Sequence, residues 1–408
     1  MQSATRSIPA LLVALILFLS AALLFVVAIS IALTAFLPLM TGKGIQAQAT
    51  IYGSGFGFEA LLLFSAAYLC FQKYSGHSLA DLQIQIQLKG WRVVILMFGA
   101  SLALLLGYLV AENKNINWLF LPVLTIPAVA LPLGLIFSFG AHKIQLGPRW
   151  RVWGIFGLGM TLGPFILFIV EIFILIFFFI LLIAYLTLRP ELANEILTLS
   201  NQISLLQDDP QALINLILPY ALKPGSVIAV LSFIAVIVPF TEELLKPIGV
   251  WFFAGKLESP AQGFALGALS GAAYALVETI GASGQTSEWA TLLFTRIGTA
   301  LLHITSTALM GWGIALAWQK RQYLKLFAIY IFSSVLHGLW NASAIIYSYS
   351  LLARELDPSS LLSSMAPFTL AFSITLAVIL LMILILGNKS LNQTNVNEPI
   401  EITGNISA

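Results

Sequence analysis

Residues 165–186 read FILFIVEIFILIFFFILLIAYL, with Glu171 as the only side chain charged at neutral pH. Coiled as a helix at about 1.5 Å per residue, this run is long enough to cross a hydrocarbon core of roughly 30 Å. It is apolar on every side, so no face of it is suited to water. Lipid is therefore its solvent, and with no water to satisfy backbone N–H and C=O groups an α-helix is the form expected of it. The same reasoning extends to the whole chain. Hydrophobic residues make up 59% of it and charged residues only 9%, too little polar surface to coat a water-soluble globule of 408 residues.

Ten segments qualify as spans, near residues 10–37, 56–72, 93–111, 119–140, 154–187, 224–253, 260–281, 289–318, 323–350 and 364–387. The expected fold is an all-α polytopic bundle. The fifth segment is too long for one simple span, which predicts a break at Gly163 and Pro164. Basic residues in the connections divide unevenly. Arg6, Lys73, Lys89, Arg92, Lys143, Arg149, Arg151, Lys256, Lys320, Arg321, Lys325 and Lys389 fall on one side, against Lys43, Lys114, Arg189, Lys223 and Arg354 on the other. Cytoplasmic loops carry the excess of Lys and Arg, so both termini are expected in the cytoplasm, and the first span reads as an uncleaved anchor. The expected location is a membrane that the chain crosses several times. One cysteine, Cys70, allows no intramolecular disulfide, and a net charge of +2 argues against nucleic acid.

Ionisable residues within spans are sparse up to residue 187, where Glu59 and Glu171 stand alone, and concentrate after residue 224. This suggests an N-terminal five-span module over 1–187, a catalytic five-span module over 224–387 and a disordered polar tail over 388–408. Residues 188–223 carry Leu192, Ile196, Leu199, Ile203 and Leu206 on one stripe, with a second helix start at Asp209 and Pro210. They read as an amphipathic helical hairpin on the outer membrane surface. Gly53 to Gly57 reads as a flexible loop before the second span. In the seventh span, Gly263, Gly267, Gly271 and Ala275 recur every four residues, a stripe that lets a neighbouring backbone come close.

Residues 241–247 read TEELLKP, placing Glu242, Glu243 and Lys246 within one short stretch bracketed by Pro239 and Pro247. Each charge costs about 2.5 to 3.5 kcal/mol at mid-membrane, so three together point to a site or to an ion pair between Glu242 and Lys246 at i, i+4. Glu278, Arg296, His303, His337 and Asn341 follow on the next three spans. Arg296 either pairs with a carboxylate or reaches toward the surface. Carboxylates and imidazoles in a water-poor site can activate a water and stabilise an oxyanion, which is what peptide hydrolysis needs.

The order Glu-Glu-x-x-Lys at 242–246, Ala-x-x-Glu at 275–278, His303 in mid-span and His-x-x-x-Asn at 337–341 resembles the PrsW protease family, which is related to the CAAX prenyl endopeptidases. The resemblance covers roughly residues 224–350; Thr279 stands where that family usually has Asn. It implies an intramembrane endopeptidase in which Glu242 or Glu243 deprotonates water and His303 orients it or protonates the leaving amine. His337 and Asn341 would polarise the scissile carbonyl, and Glu278 would fix a histidine. No cofactor is required by this scheme. A zinc variant would use His303, His337 and Glu243 as ligands. The implied substrate is a membrane protein, such as a single-span regulator of the anti-sigma-factor kind. Three other readings use the same residues or their neighbours: a transporter or ion carrier relaying protons, an inactive relative that binds a partner, and a serine hydrolase built on Ser283 within Gly281-Ala-Ser-Gly284.

Overall fold

The computed structural model describes residues 7–397 apart from Asp357, with the side chains of Pro210 and 394–397 left out. Ten helices in it are long and apolar enough to cross a membrane. In chain order the helices are α1 (Ile8–Thr34), α2 (Ala47–Tyr74), α3 (Gly90–Ala111), α4 (Asn117–Ala141), α5 (Arg149–Met160), α6 (Leu162–Thr187), α7 (Pro190–Leu205) and α8 (Pro210–Ala221). There follow α9 (Pro224–Ser232), α10 (Val238–Leu245), α11 (Ile248–Phe252), α12 (Pro260–Ala282), α13 (Trp289–Lys320), α14 (Tyr323–Leu356) and α15 (Ala366–Asn397). A short antiparallel pair, β1 (Gln83–Gln85) with β2 (Gln145–Pro148), joins the connections after α2 and after α4. Strands this short leave no alternating pattern long enough to read in the sequence.

The chain forms two compact units. One holds residues 7–164, 243–333 and 377–397, and the other holds 165–242 and 334–376. In the first unit α12 lies at the centre, packed on α13, α4, α5 and α2, so the early spans support the ionisable ones. Small residues make this possible. A Cβ on Gly53 would meet Ala28 and Ala32 of α1, and one on Gly55 would meet Ile280 of α12. Residues 53–57 are thus part of α2 and not a loop: Gly53 and Gly55 serve close helix contact in place of flexibility. Trp289 is fully buried, its Nε1–H donating to Thr125 Oγ1 at 3.0 Å, and Gly107 leaves room for its ring. Arg151 of α5 holds Glu258 at 2.8 Å and the Lys256 carbonyl, anchoring the entry to α12.

The break in the fifth segment comes at Thr161, three residues before Pro164. Proline is tolerated in the first turn of a helix, where its missing N–H has no partner to lose, so α6 starts ahead of it. In the second unit α7 and α8 occupy the 188–223 connection, and Asp209 caps α8 by accepting from Ala212 N–H at 3.0 Å. α15 continues as helix to Asn397, so residues 388–397 are not a disordered tail; 398–408 lie outside the described residues. The polar end of α15 is held because Asn388 donates to the Gly140 and His142 carbonyls, and Asn392 to that of His142. The orphan carbonyls of the α4 C-terminus thereby find donors.

His142, just past α4, accepts the Leu88 N–H on Nδ1 at 3.0 Å. Burial, aided by the charge of Lys143, lowers its pKa from 6.5. The unfolded chain therefore takes up a proton before the folded one, so this contribution to stability is complete above about 6.5 and is lost as pH falls through the lower folded value. Hydrogen exchange at the Leu88 amide is expected to quicken from pH 7 to pH 5 beyond the intrinsic change, and His142→Phe should remove the pH dependence.

Candidate active site

Pro247 has no N–H, so α10 cannot continue past it and ends at Leu245. Lys246 is thereby turned into the first unit, where its side chain is fully buried. Its carbonyl, outside the helix ladder, accepts from Ser270 Oγ of α12 at 2.7 Å. Its ammonium lies 3.0 Å from Glu243 Oε1 and 2.7 Å from His303 Nδ1, and 5.1 Å from the centre of the Tyr274 ring. Glu243 is equally buried. Glu243 and Lys246, three residues apart, thus form an ion pair.

An ammonium can only donate, which makes His303 Nδ1 the acceptor and leaves the ring proton on Nε2. Nε2 lies 2.7 Å from Glu278 Oε2, to which that proton is donated. Arg296, two turns before His303 on α13, reaches the same carboxylate oxygen at 2.7 Å, so it pairs with a carboxylate. Glu243, Lys246, His303, Glu278 and Arg296 form one continuous chain of charge-assisted contacts within the first unit. It runs from fully buried groups to a Glu278 side chain that is 37% exposed.

The small-residue stripe of α12 sets this distance. A Cβ on Gly267 would strike the Thr307 carbonyl and one on Gly271 the His303 carbonyl, so the two backbones touch where His303 emerges. Tyr274 and Glu278 come next on that face, Tyr274 meeting the His303 ring edge-on with centroids 5.2 Å apart. Tyr274 and Ser270 were not singled out from the sequence. The available signal was that Tyr274 is the large residue in a run of Gly and Ala, one turn before Glu278.

The second unit carries the other predicted residues. Phe233–Ile237 forms a π turn in which Val238 N–H reaches back to the Phe233 carbonyl. The next bond in that register would run from residue 239 to Ile234, but Pro239 has no N–H to give. Asn341 of α14 supplies the missing donor, its Nδ2 lying 2.9 Å from the Ile234 carbonyl. Gly338 lets α14 come this close, since a Cβ there would meet the Ala235 carbonyl. Asn341 is therefore a backbone partner of the segment leading to Glu242, a role that helical spacing alone did not show. His337, one turn earlier and buried, has Nε2 3.7 Å from Glu242 Oε2.

Ser283 is fully buried, its hydroxyl donating to the Ile280 carbonyl at 2.8 Å, an ordinary helix-end bond. Thr279 is 2% exposed, and its hydroxyl has no hydrogen-bond partner among the described residues.

A model of the PrsW family, described as intramembrane metalloproteases, matches residues 147–382. The chain belongs to the PrsW family. The match begins in β2 and covers more than the resemblance read from the motifs, taking in the break at Thr161, the 188–223 helices and the first half of α15. Membership makes the chain an intramembrane protease acting on membrane-protein substrates in a multi-pass membrane setting. Comparison with curated proteins and with solved structures gives no match.

The family description raises the question of a metal. Catalytic zinc takes three protein ligands and keeps one position for water. Glu242 and His337 are donors of the right chemistry. In the set expected for zinc, however, His303 has both ring nitrogens engaged by Lys246 and Glu278, and Glu243 is paired with Lys246. A metal at His303 would have to displace either the Lys246 ammonium from Nδ1 or Glu278 from Nε2; Glu242, His303 and His337 offer the carboxylate and imidazole donors that zinc takes.

Breaking a buried pair strands the remaining charge, at about 3–5 kcal/mol. Lys246→Met should therefore destabilise the PrsW protein by that amount in thermal unfolding in detergent. Glu243→Gln added to it should recover part of the loss; simple additivity would mean the two groups are not coupled.

Proposed function

We propose that this PrsW protein cleaves its substrate with a water activated by glutamate and without a metal. The observation that carries the reading is the His303 arrangement, with Lys246 on one ring nitrogen and Glu278 on the other. Glu243, or Glu242 beside it in the chain, takes the proton of the water as it attacks the scissile carbonyl. The carbonyl carbon gains the hydroxyl oxygen, and the amide nitrogen leaves with a proton. That proton is the one the glutamate took from the water, handed on to the nitrogen as the C–N bond breaks, while His303, its Nε2 donating to Glu278 and its Nδ1 accepting from Lys246, keeps Lys246 beside Glu243. His337 donates to the carbonyl oxygen as it becomes an oxyanion. Asn341 contributes by holding the π turn ahead of Glu242, and Lys246 balances the charge of Glu243 until the base is used. The 224–387 segment carries these groups, and a single-span regulator of the anti-sigma-factor kind in a bacterial cytoplasmic membrane is the substrate we favour. The same titratable chain would also suit a proton carrier, but the family match favours proteolysis.

The test compares new protein termini in membranes of cells expressing the wild type, Glu243→Gln, or the Glu242→Gln, Glu243→Gln double variant. Loss of general-base catalysis is expected to slow cleavage about 10² to 10⁴-fold. Unchanged cleavage by the double variant would end the glutamate scheme. With purified protein, a zinc chelator is expected to leave the rate unchanged; inactivation reversed by added zinc would establish the metal form.

A further inference from the structure

A cavity of about 750 Å³ lies in the first unit, away from the Lys246 chain, between the start of α3, the end of α4 and the end of α15. Phe139, Ile385 and Leu88 form its apolar side, and Lys143, Lys389 and His142 its polar side. The apolar run of α4 ends at Ala141 and that of α15 at Leu386, so the cavity sits where both helices pass from hydrocarbon to headgroup depth.

The polar groups around it are disposed to receive an anion. The carbonyls at the end of α4 are taken by the amide groups of Asn388 and Asn392, so neither lysine is needed to cap them. Among the described residues neither ammonium takes part in an ion pair, and both side chains belong to exposed residues. Because His142 Nδ1 accepts from Leu88, the neutral ring carries its proton on Nε2 as a further donor. Lys143 is held in place by its backbone. Its N–H donates to the Ile86 carbonyl at 2.8 Å, its own carbonyl accepts from Gln85, and its φ of 61 is a left-handed turn conformation.

We propose that this cavity binds the phosphate headgroup of an anionic phospholipid, with Lys143 and Lys389 on the phosphate and an acyl chain along Phe139 and Ile385. Free phosphate offers the same charge without the chain, so the apolar side of the cavity is what assigns the lipid. The site lies outside the proteolytic groups and does not depend on their mechanism.

The full chain in detergent is titrated with phosphatidylglycerol or phosphatidylcholine and followed by native mass spectrometry, with Lys320→Gln, Lys325→Gln as a control of equal charge loss. The expected result is a preference for phosphatidylglycerol of about thirtyfold, the size of two lysine contributions, lost in Lys143→Gln, Lys389→Gln and kept in the control. No preference, or equal loss in the control, overturns the proposal. Displacement by millimolar inorganic phosphate, with lipids bound regardless of headgroup, would reassign the cavity to a soluble anion and also overturn it. Should the double variant unfold, photoactivatable phosphatidylglycerol on the wild type decides: labelling of the peptides around Phe139 and Lys389 is expected, and labelling only elsewhere defeats the assignment.

Discussion

An ammonium removed from water must be met by acceptors at hydrogen-bond distance, and Lys246 imposes that demand on the first unit. Its charge is answered by Glu243 on its own segment and by His303 from α13. His303 in turn depends on Glu278 of α12, which depends on Arg296. In a medium of low dielectric each link is strong when made and costly when left open. The positions of α12 and α13 are accordingly set by polar demand as well as by packing. The glycines at 263, 267 and 271 are what allow the two backbones to come near enough for that demand to be met.

A second constraint is the backbone itself. Proline removes a donor, and in a span no water replaces it. Pro247 ends α10 and frees the Lys246 carbonyl, which Ser270 satisfies; Pro239 leaves the π turn short of a donor, which Asn341 supplies. In both cases a polar side chain from another helix repairs the defect. The helix bearing Glu242 and Glu243 is thus flanked on both sides by irregular backbone held by side chains, a common condition of intramembrane sites. The prolines that look like simple helix breakers in the sequence explain why Ser270 and Asn341 stand where they do.

The family reading and the physical reading agree on the protease and differ in emphasis on the metal. Zinc would need open imidazole and carboxylate donors, whereas the first unit uses His303 and Glu243 to hold a buried cation. The partners of His303 also hold its imidazole in one tautomer.

Composition and hydrophobic run length alone determined that the chain is a ten-span helical bundle, because the bilayer leaves a long apolar run no other way to satisfy its backbone. The cost of burying charge likewise singled out Glu242, Glu243, Lys246, Glu278, Arg296, His303 and His337 before any coordinates were needed. Periodicity stops at the choice of face. Residues 242 and 243 both lie within one turn of Lys246, and only the tertiary structure pairs Glu243 with it at 3.0 Å. Nor does composition tell a glycine of a loop from a glycine of a close helix contact: α1 lies against Gly53 and α12 against Gly55. The polar end of α15 had no apolar stripe to announce a helix; it is helical because the carbonyls closing α4, far away in sequence, needed its asparagines. What a side chain is can be read along the chain, but its partner comes from another helix, and only the packed fold decides which one.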